Sequence, residues 1–166
     1  NIMIMRDKNG VQSNEEKIWL NNFKKEQVLE EGYRSLQATK PMTLAYSMVD
    51  NPIGVAAWIL EKFYGWSDIK KNSLLDSYNI NDLITNVMLY LVTNSFNTST
   101  WIYYGRREEG GRIMNSDGKR VEVPTACALF PRELLSWPPR SYVDRLYNVV
   151  QWNEFSKGGH FAAMEE

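Results

Sequence analysis

The chain contains one histidine, His160, in the closing stretch Gly158-Gly159-His160-Phe161-Ala162-Ala163. Imidazole changes charge close to neutrality, which suits it to give and take protons in catalysis. The two glycines before it have no side chains to pack, so a core role explains the position poorly. A carboxylate that orients such an imidazole and stabilises its protonated form is its usual partner. Glu133, just after Phe130-Pro131, is the candidate. Plainer roles serve both residue types. A lone loop histidine is more often simply solvated. A glutamate in the first turn of a helix starting near Pro131 would be favoured there by the helix dipole. With one cysteine, Cys127, and one histidine, the chain cannot assemble a zinc cluster or an internal disulfide. Cys127 reads as a small buried filler. No metal and no cofactor is expected.

The elements that must position this pair fall into two textures. Ser13 to Gly32 reads as a helix, opened by a Ser13/Glu16 capping box and stopped by Gly32. Tyr33 to Met42 reads as loop. Asp50-Asn51-Pro52 opens a second helix, whose residues Val55, Ala56, Trp58, Ile59, Leu60 and Phe63 are apolar on nearly every face and predict burial between neighbours. Asn81-Asp82 opens a third, with Leu83, Ile84, Val87, Met88 and Leu91 at helical spacing. A fourth covers Thr98 to Tyr104. Turn signals follow at Glu109-Gly110-Gly111 and Asn115-Ser116-Asp117-Gly118. Val121 to Phe130 reads as a strand, Pro131 as the start of a short helix with Glu133, Leu134 and Leu135, and Leu146 to Trp152 as a second strand. Gly158-Gly159 make a loop before a helix over Phe161 to Met164.

Strand, helix, strand, loop, helix predicts two parallel strands joined by a crossover. Parallel sheets are covered on both faces and normally hold more strands, so the reading expects further strands N-terminal to residue 1. The chain begins at Asn1 and closes six residues after His160, which fits a piece of a larger domain. In open parallel sheets, functional groups gather in loops past the strand ends. Glu133 and His160 occupy two such loops, in the chain order of the acid and histidine of an α/β-hydrolase triad.

Five stretches stand out in order along the chain: Gly32-Tyr33 through Gln37-Ala38-Thr39-Lys40-Pro41, Asp50-Asn51-Pro52-Ile53-Gly54-Val55-Ala56-Ala57-Trp58-Ile59-Leu60-Glu61-Lys62-Phe63, Leu83 through Asn86-Val87-Met88-Leu89-Tyr90, Phe130-Pro131-Arg132-Glu133-Leu134-Leu135, and Gly158-Gly159-His160-Phe161-Ala162-Ala163. Together they resemble the C-terminal portion of the microsomal-type epoxide hydrolases, the group that includes juvenile hormone epoxide hydrolases. The resemblance implies a partial α/β-hydrolase fold, with a helical lid at 1–108 followed by the last strands and helices of the parallel core sheet at 109–166. It implies that His160 is the base for water, Glu133 its acid, and Tyr33 and Tyr103 the lid phenols that donate to the epoxide oxygen. Tyr104 is adjacent to Tyr103, so helix register decides between them, and either tyrosine type is equally at home as an ordinary amphipathic lid residue. The family's nucleophilic Asp precedes the lid. Asp7, Asp50, Asp68, Asp76, Asp82, Asp117 and Asp144 are therefore not candidates, and the chain alone is expected to be inactive.

The implied partners are a small apolar epoxide and water, the N-terminal half of the core, and optionally a second copy. A net charge of −1 argues against a general nucleic-acid binder; the basic pairs Lys70-Lys71 and Arg106-Arg107 read as solvated loop. No apolar run reaches membrane-spanning length. Location is not legible: cytoplasmic, or endoplasmic reticulum membrane-associated if a full-length parent carries an N-terminal anchor. Two competing readings are another α/β-hydrolase, such as an esterase or haloalkane dehalogenase, and a catalytically silent interaction chain.

Overall fold

The computed structural model describes residues 10–69, 73–110 and 119–166; Asp7, Lys70-Lys71 and the turn at 115–118 lie outside them. Helix α1 (Asn14–Thr39) opens where Ser13 Oγ accepts from the Glu16 amide at 3.1 Å. The reciprocal half of the capping box is shifted: Glu16 Oε2 accepts from the Gln12 amide at 2.7 Å. Gly32 does not stop the helix. It keeps negative φ, and the stretch expected as loop from Tyr33 is helical to Thr39, then again in α2 (Pro41–Met48). The break belongs to Pro41, which pushes the residue before it out of helical geometry; Lys40 sits at φ −136, ψ 50. An internal glycine costs a helix only about 1 kcal/mol, which packing of α1 against α5 overrides.

Helix α3 (Pro52–Trp66) has Asn51 as cap, its Oδ1 accepting from the Gly54 amide at 2.9 Å. Val55, Phe63 and Trp66 are buried, but Ile53 and Tyr64 are exposed. The all-round burial expected for this helix is thus realised on one side. Helix α4 (Ile80–Val92) starts one residue earlier than expected, capped by Asn79. Helix α5 (Phe96–Glu108) extends the fourth helix at both ends. Leu44, Val55, Val87 and Phe96 form the core that joins α2, α3, α4 and α5.

Strands β1 (Val121–Leu129) and β2 (Tyr147–Glu154) pair in parallel, with Cys127 opposite Trp152 and Leu129 opposite Glu154. The crossover differs from expectation in one respect that matters. No helix forms at Pro131; the connecting helix is α6 (Arg140–Leu146), led in by Pro138-Pro139. Those prolines cannot continue a helix from upstream but suit a helix start. Upstream of them the chain stays extended enough for Arg132 to bridge Gly159 in parallel fashion. A final turn, α7 (Ala162–Glu165), follows His160.

Two further contacts join the helical part to the strands. Phe63, Tyr78 and Leu83 pack with Phe161, and Trp19 and Phe23 pack on Tyr142 of α6. Beside the second cluster, the Glu16 side chain, only 1% exposed, takes both Arg145 guanidinium nitrogens at 2.7 and 2.9 Å. That hydrogen-bonded pairing holds the Glu16 carboxyl down to about 2 against the opposing effect of burial. A carboxyl lowered in the folded state adds stability above its ordinary value of 4.5 and loses it as pH falls through about 2. Glu16→Gln is expected to cost about 2–3 kcal/mol, less than a fully buried pair because Arg145 keeps solvent contact. Urea unfolding at pH 7 measures the loss, and the gap to wild type should close between pH 4.5 and 2.

Candidate functional site

Because β1 and β2 run parallel, the loops past Leu129 and Glu154 leave the sheet on the same edge. The Phe155 amide donates to the Leu129 carbonyl at 2.9 Å, and the Phe130 and Phe155 rings stack at 5.0 Å. The loops are then zipped once more where the Arg132 amide donates to the Gly158 carbonyl at 3.1 Å. Glu133 and His160 directly follow the bridged residues Arg132 and Gly159. Glu133 Oε1 meets His160 Nδ1 in a short hydrogen bond, with both side chains largely buried. Against a carboxylate oxygen, Nδ1 is the donor, which leaves the imidazole lone pair on Nε2. Glu133 is thus held in an extended loop, not in the helix turn expected at Pro131.

The glycines before His160 have a definite reason. Gly158 lies at φ +99, a region L side chains rarely adopt. A Cβ on Gly159 would stand 2.5 Å from the Trp66 carbonyl oxygen. That carbonyl accepts the His160 amide at 2.7 Å, so the His160 loop lies directly on the end of α3. Gly159→Ala is expected to destabilise the fold by about 2–3 kcal/mol, the cost of overpacking against rigid backbone, read as a fall in thermal midpoint.

Trp66 links His160 to the two tyrosines. Its ring meets His160 edge-on at 5.2 Å and Tyr33 edge-on at 5.2 Å, and its indole N–H donates to Glu30 at 2.7 Å. Tyr33 meets Tyr103 at 5.9 Å with the rings nearly perpendicular. The register of α5 turns Tyr103 toward α1, while Tyr104 is exposed. The continuous α1 is what brings Tyr33 here; a loop from residue 33 would not fix it. Lys62 lies with its ammonium 4.8 Å from the Tyr33 ring centre and 5.1 Å from that of Trp66, a cation–π arrangement. Sequence reasoning missed Trp66 and Lys62. The only signal was their place at the C-terminal end of an apolar helix.

Asp68, set aside above as a nucleophile, is engaged structurally: its Oδ2 accepts from the Gly158 amide at 3.1 Å. Asp144 pairs with Arg140 at 3.4 Å. Among the described residues no group of three or more His, Cys, Asp or Glu could hold a metal, and no helix is long and apolar enough to cross a membrane.

No family model matches the chain. It is 43% identical to juvenile hormone epoxide hydrolase 1 of Ctenocephalides felis over 145 residues, which cover 84% of this chain and 31% of that protein. It is 34% identical to epoxide hydrolase 1 of Sus scrofa, with 82% and 31% covered. The crystal structure of juvenile hormone epoxide hydrolase from the silkworm Bombyx mori superimposes with a TM-score of 0.73 at 30% identity, over 93% of this chain and 38% of that one. The chain is similar to one part of the juvenile hormone and microsomal epoxide hydrolases. It spans about a third of the length of these relatives, and its two-stranded parallel sheet with surrounding helices is part of an α/β-hydrolase fold. The sequence-level resemblance and fold class therefore hold.

Proposed function

We propose that the chain supplies the base, the acid and two electrophilic phenols of an epoxide hydrolase that opens epoxides to vicinal diols. In this reading residues 1–108 are lid and 109–166 belong to the core. The observation that carries it is the His160–Glu133 hydrogen bond at the end of parallel strands, one tryptophan away from the Tyr33–Tyr103 pair.

An epoxide carries ring strain, but its leaving group is an alkoxide. Two phenol O–H groups aimed at that oxygen stabilise the charge as the C–O bond breaks. The attacking carboxylate forms a C–O bond to one epoxide carbon, and the opened oxygen leaves protonated from a tyrosine. The product of this step is a covalent ester, which splits one hard reaction into two. His160 Nε2 then takes a proton from water, and the resulting hydroxide attacks the ester carbonyl carbon. Glu133 holds the imidazole by Nδ1 and stabilises the imidazolium. The ester collapses to the carboxylic acid and the second alkoxide, which takes the proton from His160; the acid's proton returns to the tyrosinate, which restores both carboxylate and phenol as the diol leaves.

The attacking carboxylate belongs to a part of the parent fold outside these residues. The chain by itself is therefore expected to form no diol. The decisive experiment replaces the matching third of the Ctenocephalides felis relative with this chain. The hybrid is expected to convert an apolar epoxide to diol, followed by chromatography, while the purified chain gives none. A folded hybrid without turnover, or diol formation by the chain alone, overturns the reading.

A further inference from the structure

We infer that Glu165 is a positioning residue: its carboxylate clamps the loop that carries His160 and ties that loop to the end of α3. The inference rests on the reading of His160 as the base. Glu165 Oε2 accepts from the Gly159 amide at 2.9 Å and from the Asp68 amide at 2.8 Å, while Oε1 accepts from the Phe161 amide at 3.0 Å. The first and third donors flank His160 on either side. The second comes from the segment just past α3. The Asp68 carboxylate returns the connection by accepting from Gly158, and the His160 amide itself goes to Trp66. The loop amides from 158 to 161 therefore all have acceptors in a stretch with neither helix nor ladder to provide them.

Local capping of α7 accounts for the Phe161 contact but not for the Asp68 one, whose donor lies 97 positions away in the chain. Hydrogen bonds to an ionised acceptor are roughly twice as strong as neutral ones. Tyr78, buried and within 2.5 Å of Ser67 Oγ, lines the same spot. Burial pushes its phenol up to about 12, and Glu165 acts in the same direction. A neutral phenol thus faces the carboxylate and does not compete with it for charge. The clamp gives α3, which bears Trp66 and Lys62, a rigid connection to the base.

Nuclear magnetic resonance on the whole chain tests this. In wild type, couplings across the hydrogen bonds should connect the amides of Asp68, Gly159 and Phe161 to the Glu165 carboxyl carbon, and His160 Nδ1–H should resonate at low field. In Glu165→Gln, amide exchange at Gly159 and Phe161 should accelerate about tenfold or more, as loss of a charged acceptor implies, and the Nδ1 proton signal should broaden or vanish. Glu16→Gln, which destabilises a remote pair, should leave both signatures intact. An unchanged imidazole signal in Glu165→Gln, or an equal loss in Glu16→Gln, overturns the clamp. If Glu165→Gln does not fold, the wild-type couplings decide, and their absence overturns it. Glu133→Gln separates the two ideas. It should abolish the low-field proton while the loop amides stay protected; a persisting signal sinks the acid–base pairing, and the amides still report on Glu165.

Discussion

In the hybrid enzyme described above, His160→Gln is expected to leave the covalent ester stranded. Ring opening needs the carboxylate and the phenols, not the imidazole, so a single turnover should proceed and stop. Ester hydrolysis should fall by about 10²–10⁴-fold, the usual contribution of a positioned general base. Intact-protein mass spectrometry would show an added mass equal to the epoxide. Glu133→Gln should follow the same pattern with a smaller loss, because it removes the group that orients the ring and stabilises its charged form but leaves Nε2 in place. Ring opening that slows as much as ester hydrolysis would place His160 outside the second step.

The tyrosines are expected to divide the reaction the other way. Tyr33→Phe and Tyr103→Phe should each slow ester formation by about 10²–10³-fold, the cost of one donor removed from a developing oxyanion, and leave hydrolysis of preformed ester nearly untouched. Stopped-flow quenching of tryptophan fluorescence during a single turnover separates the two steps. The rings touch at 5.9 Å, so the double variant should lose less than the product of the single losses. Tyr104→Phe is the control. Its side chain is exposed, and its rate should match the parent; an equal loss there would move the second phenol to the neighbouring position.

Much of the secondary structure was legible because its causes are local. The Asn51-Pro52 start and the β1 and β2 segments follow from capping, fixed proline φ and apolar alternation. The misreadings share one origin. Gly32 is a stop signal only if no tertiary contact rewards continuation, and α1 is held by its neighbours past that point. Pro131 is a helix start only if the residues after it are not drawn into extended pairing, and here Arg132 bridges Gly159. In both places a long-range contact outweighed a local preference of about 1 kcal/mol.

The residue types and their order determined by themselves what chemistry was available: one imidazole, one acid in the preceding strand-end loop, and a family resemblance strong enough to name the fold. Only the tertiary structure decided which groups meet. It placed Glu133 on Nδ1 of His160 rather than in a helix turn, chose Tyr103 over Tyr104 beside Tyr33, and inserted Trp66 between Tyr33 and His160. The physical reason is that proton transfer and oxyanion stabilisation act over a few ångströms, whereas the residues concerned lie far apart in the chain. Spacing along a sequence constrains distances within an element, and it leaves distances between elements to packing.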